Sequence, residues 1–369
     1  MIWRLGEKCA MPWDKEQTAA LLDEIRALAP RDLRLMEVCG THTMAIAEAG
    51  IKSMLPSQIR LLSGPGCPVC VTPPQVIDAV LELSMEKNVL LTSYGDMLRV
   101  PGSRAGDSLL RRKALGARVE TVYSPVDAVE LALQNPDKQV VFLGVGFETT
   151  APGTAAAVLT AKEKGAKNFT LWSMLKLVEP ALRALIRMDG FQVDGFLCPG
   201  HVATIIGARG FAFLPEEFGL PAVVAGFEPA DILRAVYRLV KQLHDREAKL
   251  ENEYTRAVSM AGNRLAKQIM ADCFAPRFDV WRGLGGIENS GLGLRDSLRE
   301  WDAERRFGIH YAAAEPPTAC RCGEVITGRL PPERCPLFGT RCTPEDPVGP
   351  CMVSSEGACA AAWKYAGIV

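Results

Sequence analysis

The sequence predicts an α/β fold, with two Rossmann-like parallel-sheet domains followed by a cysteine-rich C-terminal domain that is part helical and part irregular. Three observations predict it. From residue 31 to about residue 240, short apolar β-branched runs alternate with amphipathic helical stretches, the signature of βα units around a parallel sheet. Two segments echo one another, VVFLGVGFETTAP at 140–152 and AVVAGFEPAD at 222–231, each running strand, Gly-Phe-Glu, helix. After residue 315 periodicity vanishes and the chain turns rich in Pro, Gly and Cys, so a metal rather than an apolar core is expected to hold the tail.

The N-terminal stretch 14–28, opened by Asp14 as a helix cap, reads as a helix packing on the last domain; it closes an N-terminal segment of residues 1–30. The strands expected next are Leu33–Val38, Ile59–Leu62, Val89–Thr92, Val119–Tyr123, Val140–Val145, Phe169–Trp172, Gly195–Cys198 and Ala222–Ala225. Between them Pro74–Met85, Pro125–Gln134, Ala155–Lys164 and Ala230–Leu243 carry helical periodicity. The echo favours two α/β halves, 31–125 and 126–240, each the size of a small domain. Residues 241–369 form the last domain. Its first part, 241–272, is charged with spaced apolar positions and reads as one or two long helices, followed by a Gly-rich loop, WRGLGGIENSGLGL.

Composition excludes several classes. Lys and Arg number 42 against 43 Asp and Glu, so the overall charge carries neither a nucleic-acid footprint nor a polybasic membrane patch. Charges at Arg4, Glu7, Lys8 and Asp14 break any signal-peptide core, and no apolar run approaches the ~20 residues of a membrane span. A soluble cytoplasmic protein is expected. Twelve cysteines in so long a chain, with no sign of export, read as metal ligands or redox thiols rather than a disulfide framework.

In open α/β sheets ligands sit beyond the C-terminal ends of the strands, and two cysteine motifs fall there. RLMEVCGTHT puts Cys39 after the first strand, with Gly40 for a tight turn and His42 and Thr43 opening a helix. A thiol at a helix N-terminus has a lowered pKa and favours the metal-binding thiolate. The bland readings are a small buried hydrophobe for Cys39 and a hydrogen-bonded structural group for His42, whose functional reading is an outer-sphere residue or a weak ligand. The second motif, LLSGPGCPVCVTPP, holds Cys67 and Cys70 in a Cys-x-x-Cys whose Gly64, Pro65, Gly66 and Pro68 enforce a sharp loop. It reads as redox-active or iron-binding. Half a zinc knuckle is the alternative, but no second Cys-x-x-Cys exists in the chain. Other strand ends supply Asp96, Arg99, Glu148, Thr149, Thr150, His201 and Glu228, among which Thr149 and Glu228 read equally well as helix-cap or loop groups. WRGLGGIENSGLGL lacks the spacing of a dinucleotide loop.

The tail holds Cys320, Cys322, Cys335, Cys342, Cys351 and Cys359. Wide, uneven spacings suit a bulky iron–sulfur cluster reached from several loops, whereas zinc ribbons usually present close pairs.

Taken together, CGTHT, GPGCPVC, GFETTAPGTA, PGH, VVAGFEP, WRGLGGIENSG and the tail CGEV, CPLFG and SSEGAC resemble the HypD family over nearly the whole chain, in order. The resemblance implies a scaffold for [NiFe] hydrogenase maturation. With a small HypC-like partner it would hold iron, the Fe(CN)2CO precursor, while cyanide arrives from a HypE-like donor. It places iron on Cys39 with His42, and a redox-active pair on Cys67 and Cys70 close enough to join that site. A [4Fe-4S] cluster falls on Cys322, Cys335, Cys342 and Cys359, making the last domain an iron–sulfur domain whose cluster exchanges electrons with the dithiol. Cys320 and Cys351 lie outside that pattern and read as spectators, although Cys320 is close enough to compete with Cys322; Cys9, Cys198 and Cys273 read as ordinary thiols. The competing classes are a free-standing iron–sulfur thiol/disulfide oxidoreductase and a zinc-stabilised binding protein.

Overall fold

A computed structural model describes residues 15–29, 31–104, 106–311 and 318–365. The Asp14 cap and Cys9 lie outside the described residues. Among the described residues there are eleven strands: β1 Leu33–Glu37, β2 Ile59–Ser63, β3 Val89–Ser93, β4 Val119–Thr121, β5 Gln139–Gly146, β6 Phe169–Leu175, β7 Gly195–Pro199, β8 Ala222–Ala225, β9 Leu250–Asn252, β10 Phe274–Trp281 and β11 Gly285–Leu294. The eight expected strands are the first eight. They are apolar because both faces of a helix-covered parallel sheet are buried; β3, β6, β7 and β8 are buried at every position.

The strands form two parallel sheets, ordered β2-β1-β7-β8-β9 and β4-β3-β5-β6, and an antiparallel β10-β11 pair. The expected division at residue 125 is therefore corrected. β1 pairs with β7 in the register Leu35↔Gly195, so the first sheet takes strands from both ends of the α/β region and the second is inserted between them. The internal echo survives at a smaller scale, since β5 and β8 belong to different sheets and each runs through a Gly-Phe-Glu turn to a helix, Ala151–Glu163 or Pro229–Asp245.

Three further expectations are corrected. The helix Lys15–Leu28 packs on Pro229–Asp245, not on the tail: Ile25 is fully buried in one core with Ile232, Leu233, Val236 and Leu239. Its apolar stripe needs a long apolar partner face, which the tail does not offer. Residues 241–272 are not continuously helical. The helix from Pro229 ends at Asp245, β9 follows, and a shorter helix covers Arg264–Cys273. The Gly-rich stretch is a hairpin, with Phe274 opposite Leu294 and Trp281 opposite Gly285. Its glycines answer bulky cross-strand neighbours; a Cβ on Gly291 would lie 2.8 Å from the Asp279 Cβ.

This hairpin is locked to β6 by a buried ion pair. Lys176 Nζ donates to Asp279 Oδ2 at 2.8 Å and to the Val280 carbonyl at 2.8 Å, and the two side chains are 2% and 7% exposed. Asp279→Ala strands an ammonium in the interior, so it is expected to cost about 3–5 kcal/mol by denaturant titration, and adding Lys176→Met should recover much of that. A double variant no more stable than the single one would show that the pair does not hold the hairpin.

Candidate functional site

Three separated segments meet where β1 and β2 end. Cys39 lies two residues past the end of β1 and occupies the N-cap position of the helix Gly40–Glu48, with no side-chain capping bond. The loop after β2 lies against it: a Cβ on Gly66 would sit 2.2 Å from the Cys39 amide nitrogen, and the Gly40 amide donates to the Gly66 carbonyl at 3.0 Å. That contact requires glycine at 66 and delivers Cys67 beside Cys39. Cys67 then caps the short helix Pro68–Val71, its Sγ accepting from the Cys70 amide at 3.1 Å. The third segment is SSEGAC from the tail. Cys67 Sγ donates to Ser354 Oγ at 3.3 Å, and Thr41 Oγ1 donates to Glu356 Oε1 at 2.7 Å. Asp96, from the end of β3, accepts from the Ser355 amide and hydroxyl, each at 3.2 Å.

Electrostatics at Cys39 differ from expectation. Burial pushes its thiol up to about 12, against the helix-terminal amides of His42 and Thr41 that favour the thiolate. The helix-terminal amides belong to the sequence expectation; the desolvation of Cys39 does not. A metal ion bound here would supply charge that favours the thiolate. Beneath it Glu37 is buried and raised to about 7 by that burial, while accepting from the Thr43 hydroxyl and, at 3.0 Å, from the Cys39 amide. His42 is fully buried and lowered to about 4 by burial, hence neutral. Its Nε2 donates to the Gly226 carbonyl at 2.9 Å, which leaves Nδ1 as a bare lone pair with no partner. Phe227 stacks between His42 and His201, with ring centroids 4.7 and 3.9 Å away. Among the described residues, no three His, Cys, Asp or Glu side chains are gathered closely enough to hold a single metal ion.

The six tail cysteines line one small cavity with apolar walls that include Val325, Leu337, Phe338 and Met352. Cys322, Cys342, Cys351 and Cys359 are buried, and Cys320 and Cys335 are partly exposed. Backbone amides point at sulfur: Val348 N–H donates to Cys342 at 3.4 Å and Cys359 N–H to Cys351 at 3.2 Å. A soft, all-thiol donor set in an apolar pocket with amide donors fits an iron–sulfur cluster.

Cys351, read from sequence as a spectator, sits at the centre. Thiols of Cys322, Cys359 and Cys70 hydrogen-bond to it and pull it well below the usual thiol range. Cys70 is itself raised, first by burial and then by that contact. The Cys-x-x-Cys pair and the tail pocket therefore touch through Cys351. Its signal in the sequence was Pro350, which starts a short helix nine positions before Cys359. Cys320 also belongs to the cavity wall, whereas Cys198 and Cys273 are fully buried in the core.

The remaining strand-end residues divide. Asp96, Thr150 and Glu356 line an open cleft beside Pro68 and Val69. Arg99 donates to the Pro344 carbonyl and so ties β3's loop to the tail. Glu228 precedes the helix Pro229–Asp245 and lies 3.6 Å from Arg256, a structural placement. Glu148 is buried: Oε1 accepts from the Val178 amide at 3.0 Å while Oε2 has no partner. Burial raises it to about 7. Because the folded protein then holds a proton that the unfolded chain releases near pH ~4.5, stability falls as pH rises from there to about 7. Glu148→Gln is expected to flatten that fall, worth on the order of 2–3 kcal/mol, in unfolding titrations at pH 5 and 8. An unchanged slope would place the proton elsewhere.

Fold and site together define a class: an α/β protein with two parallel sheets, buried cysteines gathered at strand ends and a thiol-lined tail pocket. The family model HypD, described as "Hydrogenase formation hypA family", matches residues 16–366. The chain is 45% identical over 361 residues to hydrogenase maturation factor HypD2 of Bradyrhizobium diazoefficiens, covering 95% of each chain. It is 44% identical over 357 residues to HypD of Rhodobacter capsulatus (95% and 94% covered) and 45% identical over 359 residues to HypD of Escherichia coli (95% of each). The chain belongs to the HypD family of hydrogenase maturation factors.

Proposed function

We propose that this protein is the scaffold on which iron receives its cyanide and carbon monoxide ligands during [NiFe] hydrogenase maturation, working with a HypC-like small protein and a HypE-like cyanide donor. The observation that carries the reading is the meeting of CGTHT, GPGCPVC and SSEGAC at one point, which puts Cys39, Cys67 and the thiol pocket within one contact network. Iron is the cargo, a substrate of the site. Cys39 binds it, the Cys67 and Cys70 sulfurs stand at its side, and His42 Nδ1 is the free nitrogen donor nearby. Low-spin iron with cyanide and carbon monoxide favours such soft thiolates.

Cys322, Cys335, Cys342 and Cys359 would hold a [4Fe-4S] cluster. When bound, such a cluster stores and releases single electrons. Cys67 and Cys70 act as a dithiol: closing their S–S bond releases two electrons and two protons. Cys351 is the contact through which this pair meets the pocket. All described cysteines are free, as the reducing cytoplasm keeps them, and no helix among the described residues is long and apolar enough to cross a membrane. A free-standing oxidoreductase needs a sulfur open to its substrate, yet Cys67 and Cys70 are 5% and 0% exposed.

Protein isolated without oxygen is expected to carry iron and acid-labile sulfide, to absorb as a brown chromophore, and to retain a HypC-like partner. Stoichiometric zinc without sulfide would overturn the cluster, and the zinc-stabilised reading would stand instead.

A further inference from the structure

The second of the two echoing segments places Phe227 just past the end of β8, and none of the functions assigned above falls to it. We propose that Phe227 is a positioning residue: its ring, with the Gly226 carbonyl beside it, holds the His42 imidazole in the one orientation that keeps Nδ1 free for the iron cargo. This rests on the iron role of His42 argued above.

One turn grips the imidazole twice. β8 ends at Ala225, and the next carbonyl, that of Gly226, accepts from His42 Nε2 at 2.9 Å. The residue after it lays its ring against the same imidazole, with centroids 4.7 Å apart and planes inclined by 32°. A single hydrogen bond fixes where Nε2 points but leaves the ring plane free to tilt, because the outer torsion of histidine is broad. An aromatic face alongside removes that freedom, since ring pairs at this spacing prefer particular inclinations. With the proton on Nε2, Nδ1 is a lone pair, and it has no partner. His42 is the third residue of the helix Gly40–Glu48 that Cys39 opens, so imidazole and thiol leave the same helical turn.

The turn is itself braced. His201 stacks on Phe227 at 3.9 Å, and Tyr254 packs T-shaped against it at 5.9 Å. Arg256 lies over the Tyr254 ring at 4.7 Å and donates to the buried Asp231 at 3.0 Å. Position 226 has to be glycine: a Cβ there would collide with the Asp231 carboxylate and lie 2.8 Å from Tyr254 Cδ2. Phe227 is half-buried among these rings. Its counterpart in the first echo, Phe147, is instead buried in an apolar core, stacked on Trp281 at 5.8 Å. The same Gly-Phe-Glu turn thus fills a core in one sheet and faces a candidate iron ligand in the other.

The test is the binding of ferrous iron alone. Full-length protein purified without oxygen is dialysed against an isotope-labelled ferrous salt, and the retained label is counted by mass spectrometry, which separates it from iron bound beforehand. Phe227→Tyr keeps the ring; Phe227→Leu and Phe227→Met keep apolar bulk without it. The Leu and Met variants are expected to bind about three- to tenfold more weakly, and the Tyr variant within about twofold of wild type. In a His42→Ala background, Phe227→Leu should cost nothing further, because a residue that acts only by holding an imidazole then has nothing to hold; a merely structural role would give the same loss in both backgrounds. Four results overturn the proposal: Leu and Met variants that match wild type, a Tyr variant as weak as Leu, a Leu loss that persists in full without His42, or folding, judged by circular dichroism, lost in both Leu and Met variants, which makes Phe227 a brace only. If His42→Ala binds the label as wild type does, the iron role of His42 itself falls and takes this proposal with it.

Discussion

Cys342→Ala is expected to strip nearly all iron and sulfide from the tail and to lower the melting temperature. Cys342 is buried in the thiol cavity and accepts a backbone amide from Val348, the arrangement of a ligand held in place by its own loop. Around it the described residues of the tail form short helices, Cys322–Val325, Pro350–Val353 and Ala358–Tyr365, so in the proposed reading bonds to metal would help hold the tail, and metal loss would loosen it. Cys322, Cys335 and Cys359 should behave alike. Cys320→Ala is the control: Cys320 lines the same cavity but is partly exposed, and its loss should leave iron near wild type. Iron retained in Cys342→Ala would end this ligand assignment. Iron lost in Cys320→Ala but kept in Cys322→Ala would move one ligand by two positions.

The second large effect is expected at Cys39. Cys39→Ala should leave the cluster chromophore unchanged and abolish hydrogenase maturation, because it removes the one thiol that β1 delivers against the Gly66 loop. The residue is small, lies at a helix start and makes no side-chain cap, so its replacement by Ala preserves packing. His42→Ala should weaken iron retention by about 10–100-fold without abolishing it, as losses around a metal site usually do. Normal maturation by Cys39→Ala would make this cysteine a packing residue.

Local pattern carried the strands and the cysteine motifs. β1 through β8 are short apolar runs between Gly, Pro and Asn breakers, and such runs report burial directly. It did not carry which strands share a sheet. β1 and β3 are chemically alike, and nothing local says that β1 pairs with β7, 160 positions further on, rather than with β3. The β10-β11 hairpin was hidden for a different reason: its glycines read as a loop, but they are the gaps into which Asp279 and Phe278 fit from the opposite strand. At the site, the sequence placed Cys39, Cys67 and Cys70 at strand ends. Electron exchange between cluster and dithiol already requires the tail to fold over them; that SSEGAC makes the contact, and that burial turns the expected acidic thiol of Cys39 into a neutral one, was not legible. Cys351 was missed because its placement depends on touching Cys70, a contact between residues 281 positions apart.

Cys39 is proposed to hold iron as it gains cyanide and carbon monoxide. Infrared spectroscopy of the complex with a HypC-like partner, isolated anaerobically from cells that make hydrogenase, tests it most directly. Bands of metal-bound cyanide and carbon monoxide are predicted in the wild-type complex, together with their absence in a Cys39→Ala complex that still carries its cluster. Bands of equal intensity in both complexes, or no such bands in wild-type complex loaded with iron, would contradict it.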